Sequence, residues 1–296
     1  MSNDLNNKNL SYFLEAKCSL LDPLAKDISE EVKWVEIETK WGHLDFPIVQ
    51  CGEGDPVLFL HGFDSCFLEF RRILPFLKTN FKIIIPDLFG FGFSPRIEGI
   101  NYTTQNIINN LIDILNKLNI EKNLKIVGAS MGGSVSLHLS EEIPNNIEKM
   151  ILLSPAGLFE EPKSIPFPFN QIGAVFLGTP FVRRNLCRQA FAFPDKSVGL
   201  KEEQIASIHL GCKGWRNSLA SFAKNGGFGG SIKYLNLIDI PTKIVCGEND
   251  RILGKLELDK IGNLKNINSI NLKNCGHLPH LDLPNITAKI IKDFLN

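Results

Sequence analysis

The sequence carries no excess of charge: 32 Lys and Arg balance 32 Asp and Glu, a formal net charge of zero. No basic field is present to draw in a nucleic acid, and no polybasic segment marks the chain for an anionic membrane. No apolar run reaches the length of a membrane span. The first ten residues are polar and rich in Asn, with no apolar stretch of the kind a secretory signal needs. The seven cysteines stand singly, without a C-x-x-C pair, so neither a zinc site nor a disulfide framework is indicated. A reduced, cytoplasmic setting is the expectation. No internal repeat or low-complexity tract is present, and the Gly-rich 226–230 lacks the Lys-Ser/Thr tail of a phosphate loop; it reads as a mobile connection.

The 296 residues, 44% of them hydrophobic, suffice for one domain and a modest insertion. Residues 1–30 read as a peripheral extension, with a short helix over 10–25 that ends near Asp22-Pro23. Val32–Ile37 and Phe46–Gln50 read as an antiparallel strand pair. Short apolar runs then alternate with helical patterns. Strands are expected at 57–60, 82–85, 125–127, 147–153, 242–246 and 267–272, with helices at 70–77, 104–118, 134–142 and 285–295. Strand and helix in alternation imply an α/β fold, a parallel sheet covered on both faces. The rhythm breaks between 155 and 234, where Pro, Phe and Gly dominate and helices are expected near 173–191 and 202–222. The division is therefore a core of 31–154 and 235–296, with 155–234 inserted as a cap.

Chemistry-bearing residues fall at strand ends. Gly128-Ala129-Ser130-Met131-Gly132 lies between a buried strand and a helix. A serine on so sharp a turn is lifted out of the backbone, and side chains two residues before and after it would collide, which calls for Gly at both places. His61-Gly62-Phe63 follows the 57–60 strand; Phe63 and Met131 are the residues whose backbone N–H groups would receive an oxyanion. Asp250 follows the 242–246 strand, with Glu248 as the alternative carboxylate. His277 follows the last strand, with His280 as its neighbour and competitor. The order Ser, Asp, His and the late imidazole suit a nucleophile, its orienting acid and its general base.

With these residues in place the chain, over about 32–296, resembles the α/β-hydrolase superfamily, in its branch of cap-bearing esterases, perhydrolases and C–C bond hydrolases. Two further marks support the resemblance. Asp87-Leu88-Phe89-Gly90-Phe91-Gly92-Phe93-Ser94 matches D-x-x-G-x-G-x-S, whose Asp87 and Ser94 are expected to be structural. Gly276-His277-Leu278-Pro279-His280-Leu281-Asp282-Leu283-Pro284 is similar to the family's G-H-x-P-x-x-E-x-P, with Asp282 expected to cap the helix after it. The resemblance implies an eight-stranded, mostly parallel sheet with a helical cap, and cleavage of an ester or related acyl bond of a small apolar substrate, with no cofactor or metal. Acyl transfer, perhydrolysis, C–C cleavage and a small-molecule receptor are the alternatives on the same scaffold. Ser130 stands where haloalkane dehalogenases and epoxide hydrolases place Asp, and Leu278-Pro279 where C–C hydrolases often carry Trp. Among the remaining residues, His43, His138 and His209 read as structural or surface, Arg183, Arg184 and Arg188 as solvated charges, and the cap phenylalanines as cap core, a few of them lining an acyl pocket.

Overall fold

Four short runs, Asp55–Leu60 (β3), Phe81–Pro86 (β4), Leu124–Ala129 (β5) and Ile147–Leu153 (β6), are apolar on both faces, and such strands are stable only inside a sheet covered on both sides. The computed structural model describes residues 2–254 and 266–296, with side chains from Asn9 onward. It joins these four strands to Val32–Thr39 (β1), Gly42–Cys51 (β2), Thr242–Gly247 (β7) and Ile267–Leu272 (β8) in one eight-stranded sheet. The order is β1-β2-β4-β3-β5-β6-β7-β8, with β2 antiparallel to both β1 and β4 and every other pairing parallel. Alternate side chains feed two core layers. Leu58 and Leu60 face the layer built with helices 104–117 and 131–142; Val57 and Phe59 face the layer built with helices 2–18, 23–30 and 284–295.

After β3 the chain steps outward to β4 and then returns to the other side of β3 as β5. That reversal opens a crevice beyond the carboxyl ends of β3 and β5, the place where open α/β sheets bind ligands. The segment between β6 and β7 contributes helices at 169–177, 180–189, 194–197, 200–207, 215–224 and 232–237, and it borders this crevice. Among the described residues, no helix is long and apolar enough to cross a membrane.

Three expectations from the sequence need correction. Residues 10–30 are not peripheral: Phe13, Leu20, Ala25 and Ile28 are buried in the core. Phe13 lies on the helix Ser2–Cys18, Ala25 and Ile28 on the helix Pro23–Glu30, and Leu20 in the connection between them. Pro23 starts the second helix, with Asp22 as its N-cap, because the first turn tolerates the missing N–H. The helix expected at 70–77 is instead a 3₁₀ turn at 67–72 followed by a short helix at 74–77, with Pro75 in its first turn. Residues 226–230 are tied down: Gly230 and Ser231 donate to Glu160 O and Gly157 O, and a Cβ on Gly229 would stand 2.5 Å from Glu160 O.

Phe13 packs edge-on against Phe67 and Phe93, with centroids 5.9 and 5.2 Å away. Phe13→Ala is therefore expected to cost about 3–5 kcal/mol, read by urea unfolding. His138 lies 4.5 Å from the Tyr234 ring and 5.1 Å from that of Phe228. Burial, reinforced by Lys233, lowers its pKa from 6.5 to about 4. The unfolded chain takes up this proton first as pH falls, so the native state loses stability from about pH 6.5 down to about 4. His138→Phe should remove part of that loss, in unfolding curves compared at both ends of the interval.

Candidate active site

Ser130 joins β5 to the helix Met131–Glu142 at φ 51 and ψ −117, a conformation that strains a residue with a side chain. Surrounding contacts over-determine it. Its N–H donates to Leu153 O at 2.8 Å, and its carbonyl accepts from the N–H groups of Gly133 and Ala156 at 2.9 and 3.0 Å. The flanking glycines are sterically required. A Cβ on Gly128 would lie 2.3 Å from Gly132 O, and one on Gly132 would lie 2.0 Å from Leu60 O.

His277 and Asp250 arrive from the ends of β8 and β7. His277 Nε2 lies 2.8 Å from Ser130 Oγ, and Nδ1 lies 2.7 Å from Asp250 Oδ2. Asp250 Oδ1 accepts from the N–H groups of Ile252 and Leu253 at 2.8 and 3.0 Å. Burial acts to raise the Asp250 pKa, but His277 and these two amides outweigh it and hold the carboxyl below its ordinary value. An ionised carboxylate beside Nδ1 keeps a proton there and turns the Nε2 lone pair toward the serine hydroxyl. Glu248, the alternative carboxylate, is exposed at the surface.

The histidine loop is held by the inserted segment. His277 N–H donates to Ala190 O at 2.8 Å, and a Cβ on Gly276 would stand 2.5 Å from that same oxygen. Asp282 Oδ2 accepts from Gly276 N–H at 2.7 Å and from Ala192 N–H at 2.8 Å. The carboxylate expected to cap the last helix thus staples this loop to the insertion instead, and the helix Pro284–Leu295 begins with no side-chain cap.

The loop after β3 brings Gly62 against the serine: a Cβ there would be 3.3 Å from Ser130 Cβ. Phe63 follows it, and both line the same cavity as Ser130 and His277. Met131 opens the helix, so its N–H is one of the terminal amides without an intrahelical acceptor. Several side chains set the loop. His61 Nε2 accepts from Leu88 N–H at 3.0 Å while Nδ1 sits 2.8 Å from Gly62 O. Burial lowers its pKa to about 4, which keeps it the neutral tautomer with hydrogen on Nδ1. Glu69 Oε2 accepts from Gly62 N–H at 3.1 Å. Asp87 and Ser94 shape the adjoining turn as expected: the Asp87 oxygens accept from Phe67 and Phe93 N–H, and Ser94 Oγ bridges Leu88 O and Gly90 N–H.

Asp64, at φ 48 directly after Phe63, went unrecognised in the sequence. Its buried carboxylate is gripped by three side chains of the insertion. Arg183 donates to Oδ2 at 2.6 Å, Trp215 Nε1 donates to Oδ1 at 2.7 Å, and His209 Nε2 lies 3.1 Å from Oδ1. Burial opposes the charge, yet His209, Arg183 and Trp215 together hold the carboxyl well below the usual range. Arg183 is thus buried and spent on Asp64, not solvated, whereas Arg184 and Arg188 meet Glu203 and Asp195 near the surface. His209 is structural, as expected.

The cavity over the serine measures about 240 Å³. Its apolar wall is formed by Leu177, Leu186, Phe191, Ile205, Leu278 and Leu281, and Arg71 and Glu202 reach it from buried ion pairs. Of the insertion's phenylalanines, only Phe191 lines it among the described residues; Phe222 packs on Phe63 and Phe91, and Phe228 on Phe222.

A family model described as alpha/beta hydrolase fold matches residues 55–284. The chain is 26% identical to the Alpha/beta hydrolase domain-containing protein VTE7 of Arabidopsis thaliana, over 93% of this chain and 87% of that one. It is 24% identical to the 2-hydroxy-6-oxo-6-(2'-aminophenyl)hexa-2,4-dienoic acid hydrolase of Metapseudomonas resinovorans, over 92% and 95% of the two chains. In fold it is similar to a solved thermophilic esterase from Thermogutta terrifontis, with a TM-score of 0.75 and 22% identity over 89% of this chain and 98% of that one.

Arg183→Met leaves the Asp64 charge buried with one cation fewer and is expected to cost about 3–5 kcal/mol in denaturant unfolding. Arg183 also works against a proton on His209, so the His209 pKa should rise in this variant, as followed by NMR titration.

Proposed function

Because the chain belongs to the α/β-hydrolase family, we propose that it is a serine hydrolase acting on an ester or related acyl bond of a small, apolar substrate. Ser130 Oγ attacks the acyl carbon while His277 Nε2 takes its proton. Asp250 holds the imidazole in the right tautomer and stabilises the imidazolium. The N–H groups of Phe63 and Met131 receive the negative charge that develops on the carbonyl oxygen. His277 then protonates the leaving group, and an acyl-serine remains. Water, deprotonated by the same imidazole, attacks the acyl carbon; the acid leaves and Ser130 regains its proton. The observation that carries this reading is the unbroken relay from Ser130 Oγ through His277 to Asp250, at 2.8 and 2.7 Å. The Leu-rich cavity wall supports an apolar acyl group, and the insertion that supplies much of it acts as the cap.

Cleavage of a C–C bond by the same three residues is the second reading, supported by likeness to the dienoic acid hydrolase relative along most of both chains. The two separate in one assay. Wild type and Ser130→Ala are compared on p-nitrophenyl esters of increasing acyl length and on a 2-hydroxy-6-oxo-dienoate, with intact mass after fluorophosphonate treatment. Ester turnover that falls on the order of 10⁶-fold in Ser130→Ala is expected, together with one adduct on the wild type alone. Turnover of the dienoate only would select the second reading, and a wild type that neither turns over nor labels would overturn both.

A further inference from the structure

The helix Phe169–Leu177 is amphipathic in the reverse sense. Its inward face is small and polar: Asn170 and Ala174 are buried, and Asn170 Nδ2 donates to Ala220 O at 3.0 Å. Its outward face is Phe169, Ile172 and Phe176, at helical spacing on one side and 64, 59 and 61% exposed. Phe167 before the helix and Phe181 after it are 76 and 75% exposed. Single exposed apolar residues are ordinary, but a run of large ones on one outward face marks a contact surface.

We propose that this face of the insertion docks on the surface of a lipid bilayer and holds the mouth of the cavity against it. Two observations favour a bilayer over a protein partner. The face runs into the cavity itself, because Leu177 closes the helix and lines the cavity wall. A protein seated there, a second copy included, would shut the mouth, whereas a bilayer leaves it facing apolar molecules. The charge pattern agrees. No charged residue occurs from 164 to 182, so docking this stretch on lipid buries no charge of its own. Lys163, exposed at the start of this uncharged run, can meet a lipid phosphate, whereas Arg184 is paired with Glu203. The cavity used here is that of the proposed hydrolase, so the docking rests on that reading for its purpose but not for its detection.

The test is sedimentation of the full chain, as Ser130→Ala so that no turnover is needed, with vesicles of phosphatidylcholine and phosphatidylglycerol. Wild-type face and an Ile172→Asp/Phe176→Asp variant are compared, with Phe167→Ser/Phe181→Ser as a second, independent variant. Both pairs are exposed, and circular dichroism checks that each variant is folded. At least about tenfold less vesicle-bound protein is expected for either variant, in line with lost apolar burial and added charge at the interface. With Ser130 restored, turnover of a water-soluble short-chain ester should stay within about twofold of wild type. Absence of sedimentation by the unaltered face, or equal sedimentation by folded variants, would overturn the proposal. So would a dimer in light scattering that the variants dissociate, since that outcome assigns the face to a second copy. Sedimentation without esterase activity in the Ser130 form would leave docking intact and remove only the hydrolase reading.

Discussion

The structure turns on how closely the first turn of helix 131–142 approaches the end of β3. Nothing larger than a hydrogen fits between Gly132 and Leu60 O, and Gly128 is as tightly held against the same turn. This contact fixes the helix over the sheet, forces the left-handed backbone of Ser130 and brings its side chain beside the loop that leaves β3. The loops that leave β7 and β8 at the same end of the sheet then bring Asp250 and His277 to it. The strain at Ser130 persists because two layers of buried apolar side chains hold the strands that flank it.

What the sheet does not fix, the insertion does. Asp64 is clamped by residues from three separate parts of the insertion, and Gly276-His277 is stapled to 190–192 by backbone bonds and by Asp282. The two loops nearest Ser130 therefore take their positions from the same segment that walls the cavity. Substrate shape and loop geometry are coupled by construction: altering the insertion to accept another acyl group also moves the anchors of the groups proposed to act on it.

Much of this was legible in the sequence, for a physical reason. Buried strands are short apolar runs, and the turns at their ends demand Gly at fixed offsets, so local patterns locate β3, β5, β7 and β8 and the residues just beyond them. The relay residues Ser130, Asp250 and His277 were found in that way, and the structure brings them into hydrogen-bonding contact. The Asp64 clamp was not legible, because Arg183, His209 and Trp215 lie 119, 145 and 151 residues away and share no spacing rule. Asp282 misled for a related reason. A carboxylate before a helix reads as a cap, yet the N-cap position here is Leu283, and the carboxylate one residue earlier meets the amides of Gly276 and Ala192 instead.

The first two helices tie the beginning of the chain to its far interior. Asn9 reaches Ser94, Tyr12 reaches Ile208, and Ser19 and Leu21 meet Gln204, across 85, 196, 185 and 183 residues. At a synthesis rate of about 5–20 residues per second, the opening segment waits roughly 10–40 s on the ribosome for the last of these partners to be made. Phe13 meets Trp34, Phe67 and Phe93 well before then, so its aromatic packing can precede these hydrogen bonds. The hydrogen bonds that lock these two helices against 204–208 are thus among the late contacts to form during synthesis.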